Sequence, residues 1–226
     1  MKQRKAREIS PRKLPRQARS ARLVADTLEA AIRVLTRDGA QRFTAARVAA
    51  EAGVSVGSLY QYFPNKEAIL FRLQTDEWQR TSQMLDGILS DQGREPEQRL
   101  RHSIVAFFRS EWEEAALRTA LGDAAPAYRD APELAAQHRS GRRRSLRFMA
   151  ELLPDATPKV RRFTGALVKA VTSAMGKNVS EHARSAAEVE AWAVAIGDML
   201  CAYLRDQGHG PSARVKSMKT RSGAGT

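Results

Sequence analysis

A single cysteine, Cys201, in a chain of 226 residues excludes an internal disulfide framework and a cysteine-based zinc cluster. No stretch approaches 18 consecutive apolar residues, so the sequence offers no membrane-spanning helix. The N-terminal segment MKQRKAREISPRKLPRQARSAR is basic but is followed by no apolar signal core, which argues against secretion and for a cytoplasmic protein. Catalytic signatures are missing too. His102, His138, His182 and His209 are scattered with no metal-ligand spacing, and there is no Walker-type loop and no GxGxxG. Glu111, Glu113 and Glu114 flank Trp112 but have no histidine close in sequence. The expectation is a protein without catalytic residues, metal or cofactor, and not an enzyme. Cys201, between Leu200 and Ala202 on an apolar helix, reads as core rather than as a redox sensor.

The chain does have a globular composition, with 42% hydrophobic and 28% charged residues. Its net charge of +13 is unevenly spread. Residues 1–22 carry nine Lys/Arg against Glu8 alone, and the last sixteen residues carry four cations and no acid. Between them the balance is +1, so 12 of the 13 excess charges lie in the two tails. Blocks of like charge repel, stay disordered and often bind polyanions. Residues 1–19 are therefore expected to be a basic disordered arm and 209–226 a basic disordered tail. A nucleic-acid contact is the stronger reading for the arm than for the tail.

Everything between the tails carries helical periodicity and no competing strand pattern, which predicts an all-α fold. Val24, Leu28, Ala31, Ile32 and Leu35 form one stripe, ended by Gly39. Thr44 caps a short second helix through Val48, Ala49 and Ala52, stopped at Gly53. Ser55 opens a third, with Leu59 and Phe63 inward and Pro64 barring continuation. Asn65 caps a longer helix running to about Leu89. A fifth helix carries Leu100, Ile104, Phe107, Phe108 and Trp112. GDAAPAYRDAP (122–132) is irregular, a further helix spans about 132–153, and two strong apolar helices close the fold.

The informative stretch is 44–66, TAARVAAEAGVSVGSLYQYFPNK. Two short helices meeting across AGVS have helix-turn-helix spacing, in which the second helix enters the major groove. At seven or eight residues that helix would be about 11 Å long, enough to touch a few base pairs. Gly57 lets backbone approach base edges. Val56 can pack on a thymine methyl, and Gln61 can read an adenine edge. Ser55, Ser58, Tyr60 and Tyr62 can donate hydroxyl hydrogen bonds to phosphates, which fix register. Thr44 and Lys66 stand at helix N-termini, where free N–H groups favour a phosphate. The bland alternative is a helical hairpin with two adjacent exposed tyrosines.

The segment FTAARVAAEAGVSVGSLYQYFPNKEAIL resembles the DNA-binding signature of the TetR (tetracycline-repressor-like) family of bacterial regulators, over about residues 20–75. It has the Thr opening helix two, the AGVS turn, Gly57, Leu59-Tyr60, Tyr62-Phe63 and Lys66-Glu67. The resemblance implies a homodimer with a three-helix DNA-binding domain, here 20–65, and a helical effector-binding and dimerisation domain, here 66–208. It makes Thr44, Ser55, Val56, Gly57, Ser58, Tyr60, Gln61, Tyr62 and Lys66 the DNA contacts, and Leu59 and Phe63 core. Ser58 replaces the usual Thr and keeps the hydroxyl. The implied function is a sequence-specific transcriptional regulator, a repressor released from its operator by a small-molecule effector. An activator, or a ligand-independent architectural protein, would use the same helix-turn-helix.

The last two helices resemble the family's dimerisation pair, and a twofold dimer predicts a pseudo-palindromic operator in double-stranded DNA. The small residues Gly165, Ala166, Ser173, Ala174, Ala193 and Gly197 among large apolar ones allow close helix approach between subunits; packing inside one subunit is the alternative. Phe107, Phe108, Trp112, Phe148, Met149 and Leu152 are candidates to line an effector pocket, although plain core is the stronger reading of each. The run Arg142-Arg143-Arg144 reads as a solvated helix face, with an acidic ligand or DNA as the alternative.

Overall fold

The computed structural model describes residues 18–124 and 132–208. The expected basic arm up to residue 17, the tail from 209 onward and the middle of the irregular segment fall outside them. The described residues contain helices and connecting turns with no strand, in the order α1 (Ala18–Arg42), α2 (Ala45–Glu51), α3 (Val56–Tyr60), α4 (Lys66–Leu89), α5 (Pro96–Glu113), α6 (Ala115–Ala124), α7 (Pro132–Leu152), α8 (Pro158–His182) and α9 (Ala186–Gly208).

Local chemistry sets most of these boundaries. In α1, Val24, Ala30, Ala31, Val34 and Leu35 are buried, and Gly39, at φ 73 and ψ 169, breaks the helical path before a last turn to Arg42. Asn65 caps α4 by accepting the Ala68 amide at 2.8 Å. Thr157 caps α8 by accepting the Val160 amide at 3.3 Å, with Pro158 in the first turn. The break at Glu114 that separates α5 from α6 has no glycine or proline to announce it, and the sequence periodicity does not anticipate α6 as a separate helix.

The residues form two compact units. The first comprises 18–80, 114–124 and the start of α7 to 136. Its core joins Val34, Leu35, Phe43, Val48, Leu59 and Phe63 to Ile69, Leu70 and Leu73 of α4, and to Leu117 and Leu121 of α6. The unit therefore runs past the 65/66 boundary expected from sequence, because α4 buries its first turns and α6 packs on α1. A largely buried ion pair ties α6 to α4: Arg118 lies 2.9 Å from Glu77, whose side chain is 4% exposed, and 3.3 Å from Glu114.

The second unit comprises 81–113 and 137–208. Here α5 packs on α8 and α9, through Leu100, Ile104 and Phe108 against Val168, Val189, Ala193, Ile196, Leu200 and Leu204. Arg99, 3% exposed, bonds the Leu89 carbonyl at 2.6 Å and Glu151 at 2.8 Å, and its guanidinium stands 5.5 Å from the centre of the Phe148 ring. One cation thus fastens the end of α4 and the end of α7 to α5. Cys201 is buried beside the Glu97 carbonyl, as the sequence reading of a core thiol requires, and burial pushes its thiol pKa up.

Candidate nucleic-acid interface

The turn between α2 and α3 is built by backbone hydrogen bonds. The Gly53 amide bonds the Ala50 carbonyl at 3.2 Å and the Val54 amide bonds the Ala49 carbonyl at 3.0 Å. These are the paired bonds of a glycine-ended helix, and Gly53 takes the φ of 67 they need. Thr44 begins α2 by accepting the Arg47 amide at 3.2 Å. Ser55 begins α3 by accepting the Ser58 amide at 3.1 Å, and the two hydroxyls lie 2.8 Å apart.

The regular helix α3 is five residues long, shorter than the seven or eight expected. Its end tightens: both the Tyr62 and the Phe63 amides bond the Leu59 carbonyl at 3.0 Å, so the helical turn is carried on to Phe63 without further regular helix. Leu59 and Phe63 are core. Val56 is 39% and Tyr60 41% exposed, and Thr44, Ser55, Gly57 and Gln61 are exposed beside them, with Ser58 half-buried. Tyr62 departs from the expected pair of exposed tyrosines. It is 9% exposed and belongs to the first unit's core, because the tightened turn swings its ring inward next to Phe63. Lys66 is half-buried, and its Nζ donates to the Phe43 carbonyl at 3.3 Å, an internal bond that the expectation of a free phosphate-binding cation did not include.

A glycine at 57 is not required by the fold. A Cβ there would meet only the Ser55 Oγ at 3.9 Å, and the residue has no positive φ. The space it leaves lies on the exposed face with Val56, Tyr60 and Gln61.

Electrostatics hold α2 against α1. Glu51 accepts from Arg33 and Arg37 at 3.0 Å each, and Asp38 accepts from Arg37 at 3.1 Å and from Arg47 at 3.0 Å. The hydrogen bond from Arg37 is the leading cause that holds both carboxyls below their usual pKa range. Arg47 is a cation that the sequence reading passes over. It is three residues from the capping Thr44, exposed, and steadied by Asp38.

In the second unit, Phe108, Phe148 and Met149 are buried together, and Phe107, Trp112 and Leu152 pack against the same cluster. The Phe107 and Phe108 rings meet edge to face at 6.4 Å. They form a closed core rather than an open pocket. The concavity beside Trp112, lined with Val105, Arg109, Val189 and Glu190, admits no more than about one water molecule.

Three of the small residues expected between subunits pack inside one. A Cβ on Gly165 would come 3.0 Å from Met149 Cγ, one on Gly197 3.4 Å from Arg101 Cγ, and Ala193 is buried in the core. The outward face of the same helices is apolar instead. Phe163 is 63%, Trp192 45% and Met199 52% exposed. Ala166, Ala170 and Ala174 on α8 and Ala195 and Ala202 on α9 continue these stripes at helical spacing.

Among the described residues no helix is long and apolar enough to cross a membrane, and no cluster of His, Cys, Asp and Glu could hold a metal ion.

Comparison with known proteins agrees across both parts of the chain. Residues 28–73 match the family described as bacterial regulatory proteins, tetR family, and residues 95–207 match the tetracyclin repressor-like C-terminal domain. A curated relative, the HTH-type transcriptional regulator EthR of Mycolicibacterium smegmatis, is 33% identical over 106 residues. The match covers 45% of this chain and 49% of the relative, so it spans about half the relative's length. Among solved structures, a regulator from Mesorhizobium loti has TM-score 0.62 at 16% identity, covering 83% of this chain and 98% of that one. A SmeT–triclosan complex has TM-score 0.55 at 22% identity, covering 80% and 91%.

Proposed function

Because this chain belongs to the TetR family of bacterial regulatory proteins, we propose that it is a homodimeric, sequence-specific transcriptional repressor, released from its operator by a small molecule. The observation that carries this reading is the exposed face of α3. Val56, Gly57, Tyr60 and Gln61 stand out from a core that needs none of them outward, next to the capped N-terminus of α2.

Roles follow from chemistry. Val56 and Gln61 read bases, Gly57 lets the backbone close on the groove, and Ser55, Ser58, Tyr60 and Thr44 bond phosphates. The buried Tyr62 contributes its hydroxyl at the edge of the core, and Lys66 acts from its perch on the Phe43 carbonyl. Arg47 joins the phosphate contacts, since its guanidinium is exposed within one turn of Thr44.

The apolar stripes of α8 and α9 pair with their copies on a second subunit, and a twofold dimer then places two reading helices about 34–36 Å apart on a pseudo-palindrome. The effector enters the core around Phe107, Trp112, Phe148 and Leu152. That core is closed here, so the effector selects a state in which these side chains part. Release requires that this state bind DNA less well; a coupling of about 1–3 kcal/mol lowers operator affinity by about 5–150-fold. A fold relative solved with triclosan supports a small, largely apolar effector. The protein acts in the cytoplasm.

Footprinting on DNA flanking its own gene, at near-physiological salt, tests this reading. Protection of a pseudo-palindrome spanning two major grooves is expected; uniform weak protection would instead favour an architectural protein.

A further inference from the structure

Five arginines lie on α7 between Glu133 and Glu151, with no acidic residue from 134 to 150. One of them, Arg144, is committed to Asp86 at 2.8 Å and to the Ser82 hydroxyl. The other four, Arg139, Arg142, Arg143 and Arg147, are exposed, and none makes an ion pair among the described residues. Several arginines on other helices are satisfied within the protein. Arg33, Arg37, Arg72, Arg109 and Arg205, on four other helices, each pair with a carboxylate. The carboxylates that α7 does reach are already engaged, Asp86 by Arg144 and Glu151 by the buried Arg99.

Arg139, Arg143 and Arg147 recur at i, i+4 and i+8, so they share one helix face about 12 Å long; Arg142 lies to its side, toward the Met149 side of the helix. That face is turned away from the α8 seam, because Ser145 and Met149 are the α7 residues that approach Gly165. Three guanidiniums on one face, without an ion pair among the described residues, repel each other, and a polyanion relieves that repulsion. Over about 12 Å a DNA duplex carries about seven phosphates, and the planar guanidinium fork matches phosphate geometry better than a lysine does.

We propose that this arginine face of α7 is a second, sequence-independent DNA-binding surface, gripping the phosphodiester backbone of a duplex outside the reading helix. The proposal rests on DNA being the protein's partner, but it assigns to the C-terminal domain a contact separate from operator reading. Each guanidinium adds a phosphate contact without base preference.

The test compares the full-length protein with R139Q/R143Q/R147Q on operator DNA and on an unrelated duplex of equal length, across a range of salt. A control, R94Q/K177Q/R184Q, removes the same charge from exposed positions elsewhere in the same unit. The stripe variant should lose up to about 2.7 from the slope of log affinity against log salt per protomer, about 0.9 for each lost contact. Its affinity should then fall about 40-fold less between 50 and 200 mM salt than that of the wild type. The footprint boundaries and base preference should be unchanged. A slope shifted no more than in the control overturns the proposal while leaving operator recognition intact. Failure of the wild type to bind any duplex overturns both.

Discussion

Replacing Gly57 by Ala separates two effects that usually move together. In the free protein the new methyl meets nothing closer than the Ser55 Oγ at 3.9 Å, so no internal clash opposes it. Alanine also restricts the unfolded chain and suits a helix better than glycine, a gain of about 0.5–1 kcal/mol. For a chain this size that corresponds to a rise in Tm of roughly 2–4 °C per kcal/mol. At the operator the sign reverses. If the α3 backbone approaches the groove at 57, the methyl overpacks a fitted interface and costs about 1–3 kcal/mol at each half-site. Operator affinity should then fall by about 5–150-fold per half-site. Thermal melting by circular dichroism, at fixed protomer concentration, and fluorescence anisotropy on a labelled operator measure the two quantities on one preparation. Gly87→Ala is the control, since Gly87 is exposed on α4 with open space around its Cβ; it should raise Tm and leave affinity alone. A Gly57→Ala protein that is more stable yet binds with wild-type affinity would refute the close backbone approach assigned to this residue.

Other substitutions probe the remaining inferences. Gln61→Ala and Val56→Ala should shift base preference at particular operator positions, whereas Tyr60→Phe should weaken binding evenly across operators; selection from a randomised operator library distinguishes the two patterns. Arg118→Leu leaves the buried Glu77 carboxylate without its guanidinium and should cost about 3–5 kcal/mol in urea unfolding, while Glu77→Leu with Arg118→Leu should recover most of the loss. Glu97 is held below its usual pKa mainly by the hydrogen bond from Arg205, so its contribution to stability is present above about pH 4.3 and is lost as pH falls through the lowered value. The stability advantage of wild type over Glu97→Gln should therefore vanish on acid titration, and a constant difference down to pH 2 would contradict the linkage. Cys201, buried and with a raised pKa, should react with a thiol reagent at pH 8 only as fast as the native protein opens, and immediate labelling would place it at the surface.

Local rules carried much of the architecture. Thr44, Ser55, Asn65 and Thr157 each stand where a hydroxyl or amide oxygen can satisfy an orphan amide, and Gly39 and Gly53 stand where the chain needs positive φ. These are properties of one residue and its near neighbours, so they are legible before any fold is known. The periodic stripes of α1, α4, α5, α8 and α9 likewise define which side of each helix is apolar.

A stripe says that a face is buried without saying by what, and this is where tertiary structure decided. Small residues such as Gly165, Ala193 and Gly197 read in the sequence as an inter-subunit seam, with internal packing as the alternative; only the approach of Met149 and Arg101 places Gly165 and Gly197 inside. Tyr60 and Tyr62 are the same residue type two positions apart, yet a tightened turn after α3 leaves one exposed and turns the other into the core. The α5–α6 break at Glu114 has no glycine or proline behind it, and α6 joins the first core through Leu117 and Leu121 although the segment before it belongs to the second unit. The sequence by itself determined an all-helical chain with a helix-turn-helix and the identity of its capping residues, because those depend on interactions within a few residues. Which arginines are satisfied by carboxylates, which small residues are internal and which apolar side chains remain outside were decided by tertiary structure, because each depends on partners far away along the chain.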